Sequence, residues 1–312
     1  MTDSAPSLRH RLEYLLARGF AGLVRSVPLP FAYWCARRGG DLLHLVAGRH
    51  RRIAHANLRA RLLDGNGSPP DDREVRRITR EVFRHLVKNG VEMLVLPDLL
   101  EKRGFDALVD ESGAEHLRNA AESGRGAIFV GGHIGNWEVM GAACGEIGVE
   151  SLSVYRPLDN PLLDRWVRDL RARSNQRVVP KHGAVRHLVR ELRKGGVVAV
   201  LIDQDARSHG IFAPFMGVPS STIPTPAELA LRTGAAIIPG FAIRQGEQFR
   251  FRQWFDAPLD FEPTGDREAD VLAIMTELNR RLEEVVRRHP EQWLWVHRRW
   301  KTAPPDASDE ES

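Results

Sequence analysis

Cysteine is scarce in this sequence, which has only Cys35 and Cys144 among its 312 residues. Two cysteines are too few for a disulfide framework, and no group of His and Cys residues has the spacing of a zinc site. The composition therefore predicts a protein of a reducing cytoplasm with no structural metal, and we expect no cofactor. It gives no support to cysteine-based catalysis.

Long hydrophobic runs are missing as well. The apolar stretches near the N-terminus are interrupted by Arg18, Arg25, Arg37 and Arg38, so there is no run of about eighteen uncharged apolar residues that would span a bilayer. The same charges, and the lack of a small-residue cleavage pattern, argue against a secretory signal peptide. We therefore expect neither a spanning helix nor a secretory leader.

Several common catalytic and nucleotide-binding motifs are also absent. The sequence has no Gly-x-Ser-x-Gly element, no phosphate-binding P-loop and no dinucleotide fingerprint. These absences argue against hydrolases with a nucleophile elbow, nucleotidases and dehydrogenases.

Positive charge, in contrast, is concentrated at the N-terminal end, where residues 1–63 contain eleven arginines and three acidic residues. This charge favours an amphipathic segment lying in the interface of an anionic bilayer, with Tyr33 and Trp34 at headgroup depth. One alternative is a helical hairpin packed on the core, with its arginines merely solvated. Nucleic acid could use the same charge.

Apolar periodicity divides the chain into a helical part and an α/β part. Helical patterns cover residues 8–25, 30–47, 49–63 and 72–95. From residue 127 onward, short apolar runs alternate with amphipathic helices, which predicts a mixed, largely parallel sheet flanked by helices. The predicted strands are 127–130, 151–155, 176–179, 197–202, 236–243, an antiparallel edge strand at 248–255 and, after a helix at 267–288, a final strand at 293–296.

The pair His133 and Glu138 stands where the strand 127–130 ends and a helix begins. Glycines break the strand at this point, and Asn136 is a good helix N-cap. Residues five apart on a continuous helix point about 140° apart, so His133 is expected in the loop and Glu138 in the first helical turn. There the carboxylate could orient a histidine base. The alternative is a locally hydrogen-bonded His and a Glu favoured by the helix dipole.

Two further sets of polar residues follow predicted strands. Arg156 comes directly after 151–155, where a guanidinium can clamp a phosphate beside His133. Asp203 and Asp205 follow 197–202 and are candidates to support His133 or hold Arg156, although such residues also serve as strand-end turn formers. Metal binding by the two aspartates is a further alternative, but the sequence offers no other obvious ligands. The basic helix after Arg156 could present a cationic face to phosphates or to an acidic carrier protein, or simply be solvated.

Aromatic residues mark two C-terminal regions. Phe212, Phe215 and Met216 are candidate walls of a groove for an acyl chain or another amphiphile. The tryptophans between Trp293 and Trp300 are interpreted first as core residues, although their basic neighbours would also suit a lipid headgroup boundary.

Taken together, these motifs resemble the bacterial lipid A late acyltransferases, within the wider glycerolipid acyltransferase group, and the resemblance runs from about Leu8 to Pro304. The residues that carry it are His133-x4-Glu138, Tyr155-Arg156-Pro157-Leu158-Asp159-Asn160-Pro161-Leu162, Arg173-Ser174-Asn175, Asp203-Gln204-Asp205 and the stretch from Pro290 to Thr302. The resemblance implies transfer of a fatty acyl chain from acyl carrier protein or coenzyme A to a lipid hydroxyl, most simply on a lipid A precursor.

The resemblance also implies roles for individual residues. His133 would deprotonate the acceptor hydroxyl and Glu138 would orient the ring, without a covalent acyl-enzyme. The substrate-binding residues would be Arg156, Asp203, Asp205, Asn136 and Arg173. Backbone amides near Gly131 and Gly132 are candidates for an oxyanion site.

The expected organisation is a membrane-apposed helical region at 1–100, an acyltransferase domain at 101–304 and an acidic, disordered tail at 305–312. We expect peripheral attachment to the cytoplasmic face of the bacterial inner membrane, an anionic membrane surface as partner, and no nucleic acid. Other glycolipids or a lysophospholipid are alternative acceptors. A non-catalytic basic protein that binds membranes or nucleic acid is the competing class.

Overall fold

The computed structural model describes residues 6–305, and the predicted acidic tail lies, apart from Pro305, outside the described residues. The α-helices are α1 (Leu8–Ser26), α2 (Leu29–Val46), α3 (Gly48–Arg61), α4 (Asp72–Arg103), α5 (Ala114–Glu122), α6 (Trp137–Glu146), α7 (Pro161–Arg173), α8 (Ala184–Leu192), α9 (Thr225–Thr233) and α10 (Arg267–Arg288). Short 3-10 turns cover Arg207–His209 and Pro290–Gln292. Helices α1, α2, α3 and α10 begin and end close to their predicted limits, whereas α4 begins as predicted at Asp72 but continues eight residues beyond its predicted end at residue 95.

The strands are β1 (Val109–Ser112), β2 (Ala127–Gly131), β3 (Ser151–Tyr155), β4 (Gln176–Pro180), β5 (Val197–Leu201), β6 (Ile211–Phe215), β7 (Val218–Thr222), β8 (Ala236–Arg244) and β9 (Phe251–Phe255). Seven of them form one sheet in the order β1-β9-β8-β2-β5-β3-β4. The mixed, largely parallel sheet with flanking helices confirms the predicted fold class.

The central strand β2 pairs in parallel with β5 on one side and with β8 on the other. Its side chains alternate between two cores: Ile128 and Val130 face one cluster, while Ala127 and Phe129 face the other. Both faces of the sheet are covered by helices, which explains why the strand reads as a continuous apolar run. Because β2, β5 and β3 are mutually parallel, their carboxyl ends meet at one edge.

Two strand predictions need correction. Strand β9 is antiparallel to β8 as expected, but it is not an edge strand, because β1 pairs with its other side. The predicted strand at 293–296 is not formed; Trp293 makes a single bridge to Ile134 and the chain then turns. The hairpin β6–β7, which carries Pro214 and Pro219, was not predicted.

The N-terminal helices pack on α4 and leave an apolar surface uncovered. We call this the α1–α2 apolar face, and it comprises Leu8, Leu12, Leu15, Leu16, Phe20 and Leu23 of α1 with Phe31, Trp34, Leu42, Leu43, Leu45 and Val46 of α2. Tyr33 does not lie on this face, which corrects its expected position at headgroup depth. It is buried because neighbouring helical residues point about 100° apart and its ring faces α4. Within residues 6–305, each helix is too short or too polar to cross a bilayer.

Candidate active site

His133 and Asp203 lie at the carboxyl ends of the adjacent strands β2 and β5. The Nδ1 atom of His133 is 2.7 Å from Oδ1 of Asp203. A carboxylate at this distance accepts a hydrogen bond, so Nδ1 carries the proton and Nε2 of the neutral ring is left with its lone pair. The parallel register of β2 and β5 brings together two residues seventy positions apart in the chain.

Asp203 is almost fully buried and its carboxylate is saturated with donors. Besides the ring, Oδ2 accepts from the backbone amide of His133 at 2.7 Å and from the indole Nε1 of Trp293 at 2.8 Å. Burial by itself would raise the pKa of Asp203, but the contacts with His133 and Trp293 outweigh it and hold the pKa below its ordinary value. The group facing His133 is therefore a carboxylate.

The opposite edge of the His133 ring faces outward. The side chain of His133 retains 19% of its exposure, whereas that of Asp203 retains 1%. The side-chain nitrogen of Gln204 lies 3.4 Å from Nε2, and the ring of Trp137 meets the imidazole edge-on with centroids 5.2 Å apart. Nε2 is thus the ring atom that an external hydroxyl can approach.

Two glycines of the loop lie in close contact with their neighbours. A Cβ atom at Gly132 would lie 2.7 Å from Leu282 and 3.1 Å from Oδ2 of Asp203. Gly135 has φ +58°, and a Cβ there would lie 1.9 Å from the carbonyl oxygen of Ala242. Any side chain at Gly135 would clash with backbone, so this position fixes the course of the loop.

Glu138 lies in the first turn of α6, as predicted, but its carboxylate does not contact His133. It is buried and receives two hydrogen bonds from Arg171 of α7, at 3.0 Å and 2.6 Å. The first turn of α6 directs Glu138 toward α7, where the guanidinium balances its charge. The expected orientation of the ring by Glu138 is therefore wrong, and Asp203, one of the candidate supports, contacts the ring instead.

Asn136 is the N-cap of α6, as its position predicted. Its Oδ1 accepts from the amides of Glu138 and Val139, while its Nδ2 donates to Glu92 of α4 at 2.7 Å. The side chain is buried, and these bonds direct its polar atoms into the protein.

The other predicted substrate-binding residues lie in different surroundings. Arg156 follows β3 at the same edge as His133, is exposed, and has no polar partner among residues 6–305. Arg173 is bound by Asp98 and Glu101 of α4 on an exposed surface. Asp205 accepts from the hydroxyl of Thr302 at 3.0 Å, and its amide donates to the ring of His297.

The aromatic residues after β5 belong mostly to the core. Phe215 and Met216 are buried, and the ring of Phe215 packs against Trp293 and Trp300. They therefore do not form open walls of a groove, which corrects that expectation, whereas Phe212 is partly exposed. Trp293 and Trp295 are buried, which confirms their interpretation as core residues.

Some residues around the site had been given no role, or a different role, from the sequence. Gln204 carried a signal, since it stands beside Asp203 at a strand end. Arg171 was expected, with Arg165 and Arg168, on a cationic or solvated helix face, and its pairing with Glu138 was not predicted. Glu92 and Arg244 gave no signal, because their meeting across 152 positions depends on the whole fold. Residues 6–305 contain no group of three or more His, Cys, Asp or Glu arranged to hold a metal ion.

The fold and the site define an α/β protein with a histidine–carboxylate pair at the carboxyl edge of its sheet, an arrangement suited to removing a proton from a hydroxyl. The family model of the bacterial lipid A biosynthesis acyltransferases matches residues 1–302. The chain belongs to this family and is an acyltransferase.

Individual relatives agree with this assignment. The chain is 28% identical over 300 residues to the lipid A biosynthesis palmitoleoyltransferase of Escherichia coli (strain K12), covering 95% of this chain and 94% of that protein. It is 28% identical over 296 residues to the lipid A biosynthesis lauroyltransferase of the same organism, covering 93% and 91%. A phosphatidylinositol mannoside acyltransferase of Mycobacterium tuberculosis (strain CDC 1551 / Oshkosh) is 28% identical over 229 residues, covering 72% and 67%.

Proposed function

We propose that this acyltransferase moves a fatty acyl chain from a thioester, carried by acyl carrier protein or coenzyme A, to a hydroxyl of a lipid A precursor. His133 is the general base. The observation that supports this role is the 2.7 Å contact between Nδ1 and buried Asp203, which leaves Nε2 as the outward-facing acceptor. The family membership and the two relatives named for lipid A biosynthesis support the acceptor.

The reaction requires His133 to accept one proton from the acceptor hydroxyl and later to donate one proton to the leaving thiolate. Nε2 of His133 takes the proton of the acceptor hydroxyl as its oxygen attacks the thioester carbonyl, and Asp203 stabilises the imidazolium that forms. The tetrahedral intermediate then collapses, its C–S bond breaks, and the imidazolium returns the proton to the departing thiolate. Amides near Gly131 and Gly132 are our candidates for binding the oxyanion.

Glu138 acts as a positioning residue in this proposal rather than as a partner of the ring. Its ion pair with Arg171 joins the start of α6, which begins four residues after His133, to α7. Arg156 has an exposed guanidinium free of partners within residues 6–305, and it binds a phosphate of the acceptor or of the donor. In this proposal Asp205 and Arg173 do not contact the reacting atoms. They help to hold the elements that surround the site in position.

Attachment to the membrane is assigned to the α1–α2 apolar face. Leu8, Leu16 and Val46 retain 84%, 66% and 70% of their exposure. Exposed arginines on the same helices, including Arg11, Arg18 and Arg38, would meet anionic headgroups at the cytoplasmic side of the inner membrane. The protein in this proposal lies on the bilayer peripherally and takes its acceptor from it.

The test is acyl transfer from acyl carrier protein or coenzyme A thioesters to purified lipid A precursor by wild-type, His133→Ala and Glu138→Ala proteins. We expect His133→Ala to lose at least about a hundredfold in kcat, the contribution typical of a general base. Glu138→Ala should lose less, because its carboxylate does not contact the ring. Full activity of His133→Ala would exclude this mechanism.

The same assay separates the alternatives. Transfer to a lysophospholipid or to another glycolipid, but not to lipid A precursor, would keep the acyltransferase and replace the acceptor. A wild-type protein that binds vesicles but transfers from neither thioester to any of these lipids would overturn the proposal in favour of a non-catalytic membrane protein.

A further inference from the structure

We propose that the buried Glu92–Arg244 ion pair is the positioning group of the His133 loop, fixing Gly135 and Asn136, and through them the ring of His133, without touching substrate. The inference rests on the proposed role of His133 as the base. It assigns a function to a charged cluster that lies behind the reacting groups and is absent from the motifs of the sequence.

The ion pair is enclosed by protein. Glu92 of α4 and Arg244, the last residue of β8, retain 0% and 4% of their side-chain exposure. Two nitrogens of the guanidinium donate to the two carboxylate oxygens, each at 2.6 Å. Burying both charges costs desolvation free energy, and the attraction between them recovers only part of it. Stabilisation of the fold alone is therefore a weak explanation for this pair.

Both charged groups are connected to the His133 loop by hydrogen bonds of polar side chains. Glu92 accepts from Nδ2 of Asn136, the residue that caps α6. Arg244 donates to Nδ1 of His85 at 2.6 Å and to Oδ1 of Asn89. His85 and Asn89 in turn hold the carbonyl oxygen of Gly135, at 3.0 Å and 2.9 Å.

These bonds constrain the loop two and three residues after His133. The backbone there is fixed from its other side by the amide of Asn136, which donates to Ala242, and by the amide of Gly135, which donates to Gln292. The backbone of Gly135 lies close against β8, where a Cβ atom would collide with the carbonyl oxygen of Ala242. The side chains of Glu92, Arg244, His85 and Asn89 therefore fix the position of the loop relative to the carboxyl ends of the strands. In this way they also fix the distance from His133 to Asp203.

The cluster also reaches the helix that carries part of the α1–α2 apolar face. The hydroxyl of Tyr33 on α2 donates to Glu92 at 2.5 Å, and the next residue, Trp34, is exposed on that face. Burial raises the pKa of Tyr33, with the Glu92 charge adding to the effect, so its hydroxyl stays protonated and remains a donor. The His133 loop and α2 thus share one anchor.

The experiment compares Glu92→Gln, the charge-free double variant Glu92→Gln/Arg244→Met, and Asn89→Ala. The double variant leaves no unpaired buried charge, and replacing a buried ion pair in this way is often tolerated. Asn89→Ala removes only one of the two donors to the carbonyl of Gly135. We expect kcat to fall about tenfold or more in the ion-pair variants and by less in Asn89→Ala, with KM for donor and acceptor unchanged, because a misplaced catalytic group lowers the rate rather than binding.

The matched control is Asp41→Asn. Asp41 and Arg84 form another shielded ion pair between α2 and α4, with 15% and 8% side-chain exposure, and it makes no contact with the His133 loop. Its loss should lower the melting temperature without lowering kcat. A kcat that falls equally in Asp41→Asn and in the ion-pair variants would show general destabilisation and overturn the inference.

A second measurement is independent of substrate. In protein with ¹⁵N-labelled histidine, the hydrogen-bonded Nδ1 proton of His133 is assigned by its loss in Asp203→Asn. We expect this signal to shift or broaden in folded Glu92 and Asn89 variants but not in Asp41→Asn. An unchanged signal together with unchanged kcat in Asn89→Ala and in every folded ion-pair variant overturns the positioning role. If wild-type protein transfers no acyl chain, the proposed function fails while the spectrum still tests the positioning.

Discussion

The imidazole of His133 is bound by Asp203 and not by Glu138, although Glu138 is only five residues away in the chain. The contact with Asp203 measures 2.7 Å, and the Glu138 carboxylate is instead paired with Arg171. Proximity along the chain suggested Glu138 as the partner of His133. The parallel pairing of β2 with β5 provides Asp203 instead. The difference assigns tautomer control to Asp203 and leaves Glu138 with a supporting position.

Replacing Asp203 with Asn should affect the rate strongly. The Asn amide can donate to Nδ1 and favour the tautomer with a proton on Nε2, which cannot accept a proton from the hydroxyl. We expect kcat to fall by about a hundredfold or more, the range lost with a general base. Steady-state kinetics alongside Glu138→Gln check this, and a larger loss in Glu138→Gln than in Asp203→Asn would contradict the assignment.

Arg156→Lys tests the phosphate contact, because Lys keeps the charge but loses the planar, two-pronged donor. We expect kcat/KM for a phosphorylated acceptor to fall about tenfold, which corresponds to about 1.4 kcal/mol. Arg165→Lys is the matched control, since Arg165 is also exposed and also lacks a partner within the described chain. Equal kinetics of Arg156→Lys and wild type, with both phosphorylated and dephosphorylated acceptors, would remove Arg156 from the site.

The α1–α2 apolar face should decide binding to vesicles. Leu16→Gln and Trp34→Gln each remove an exposed apolar side chain from this face and should lower partitioning onto anionic phospholipid vesicles about tenfold, since burying such a side chain contributes about 1.5–3 kcal/mol. Leu272→Gln changes an exposed leucine on α10, outside the face, and should bind like wild type. Sedimentation with vesicles measures all three. Equal losses in the three variants would refute a specific membrane face.

The protein should lose stability as the pH falls below neutrality, in part through His85. Burial, reinforced by the charge of Arg244, lowers the pKa of His85 well below its ordinary value of 6.5. Below pH 6.5 the unfolded chain takes up this proton and the folded protein does not. The free energy of unfolding therefore decreases with falling pH, by up to about 1.4 kcal/mol per pH unit for this group.

Denaturant unfolding at pH 7.5 and 5.5, for wild type and His85→Gln, measures this effect. Other histidines with lowered pKa, such as His297, act in the same direction in both proteins. The difference between the two pH dependences therefore isolates His85, and wild type should show the steeper loss. Parallel curves would show that folding does not lower the pKa of His85.

The apolar patterns of the sequence were sufficient for most of the regular elements. Strand β2 and helix α10 were predicted because a buried strand reads as a continuous apolar run and an amphipathic helix as a long periodic one. Strand β1 was missed because its four residues include Asp110 and Glu111. The prediction of a final strand was wrong because aromatic residues such as Trp293 and Trp295 are common in strands, whereas here their rings pack into the core and the backbone forms a turn.

The candidate site could be predicted only where its residues stand next to strands. His133 and Asp203 were singled out in this way, because parallel strands bring their carboxyl ends to one edge. Arg156 follows a strand at the same edge, and its part in the site stays a prediction. The ion pair of Glu92 and Arg244 lies in the middle of one helix and at the end of a strand, and each residue reads locally as an ordinary charged side chain. Only packing of α4 against the loop shows that they meet.

The hydrogen bond from Trp293 to Asp203 also has a consequence for biosynthesis. The segment that carries His133 emerges from the ribosome long before Asp203, and Trp293 follows ninety residues later still. A partly synthesised chain that ends before Trp293 lacks one of the donors to Asp203, the carboxylate that sets the proton on Nδ1 of His133. The set of donors around Asp203, which includes the indole of Trp293, is therefore complete only after the C-terminal segment has packed.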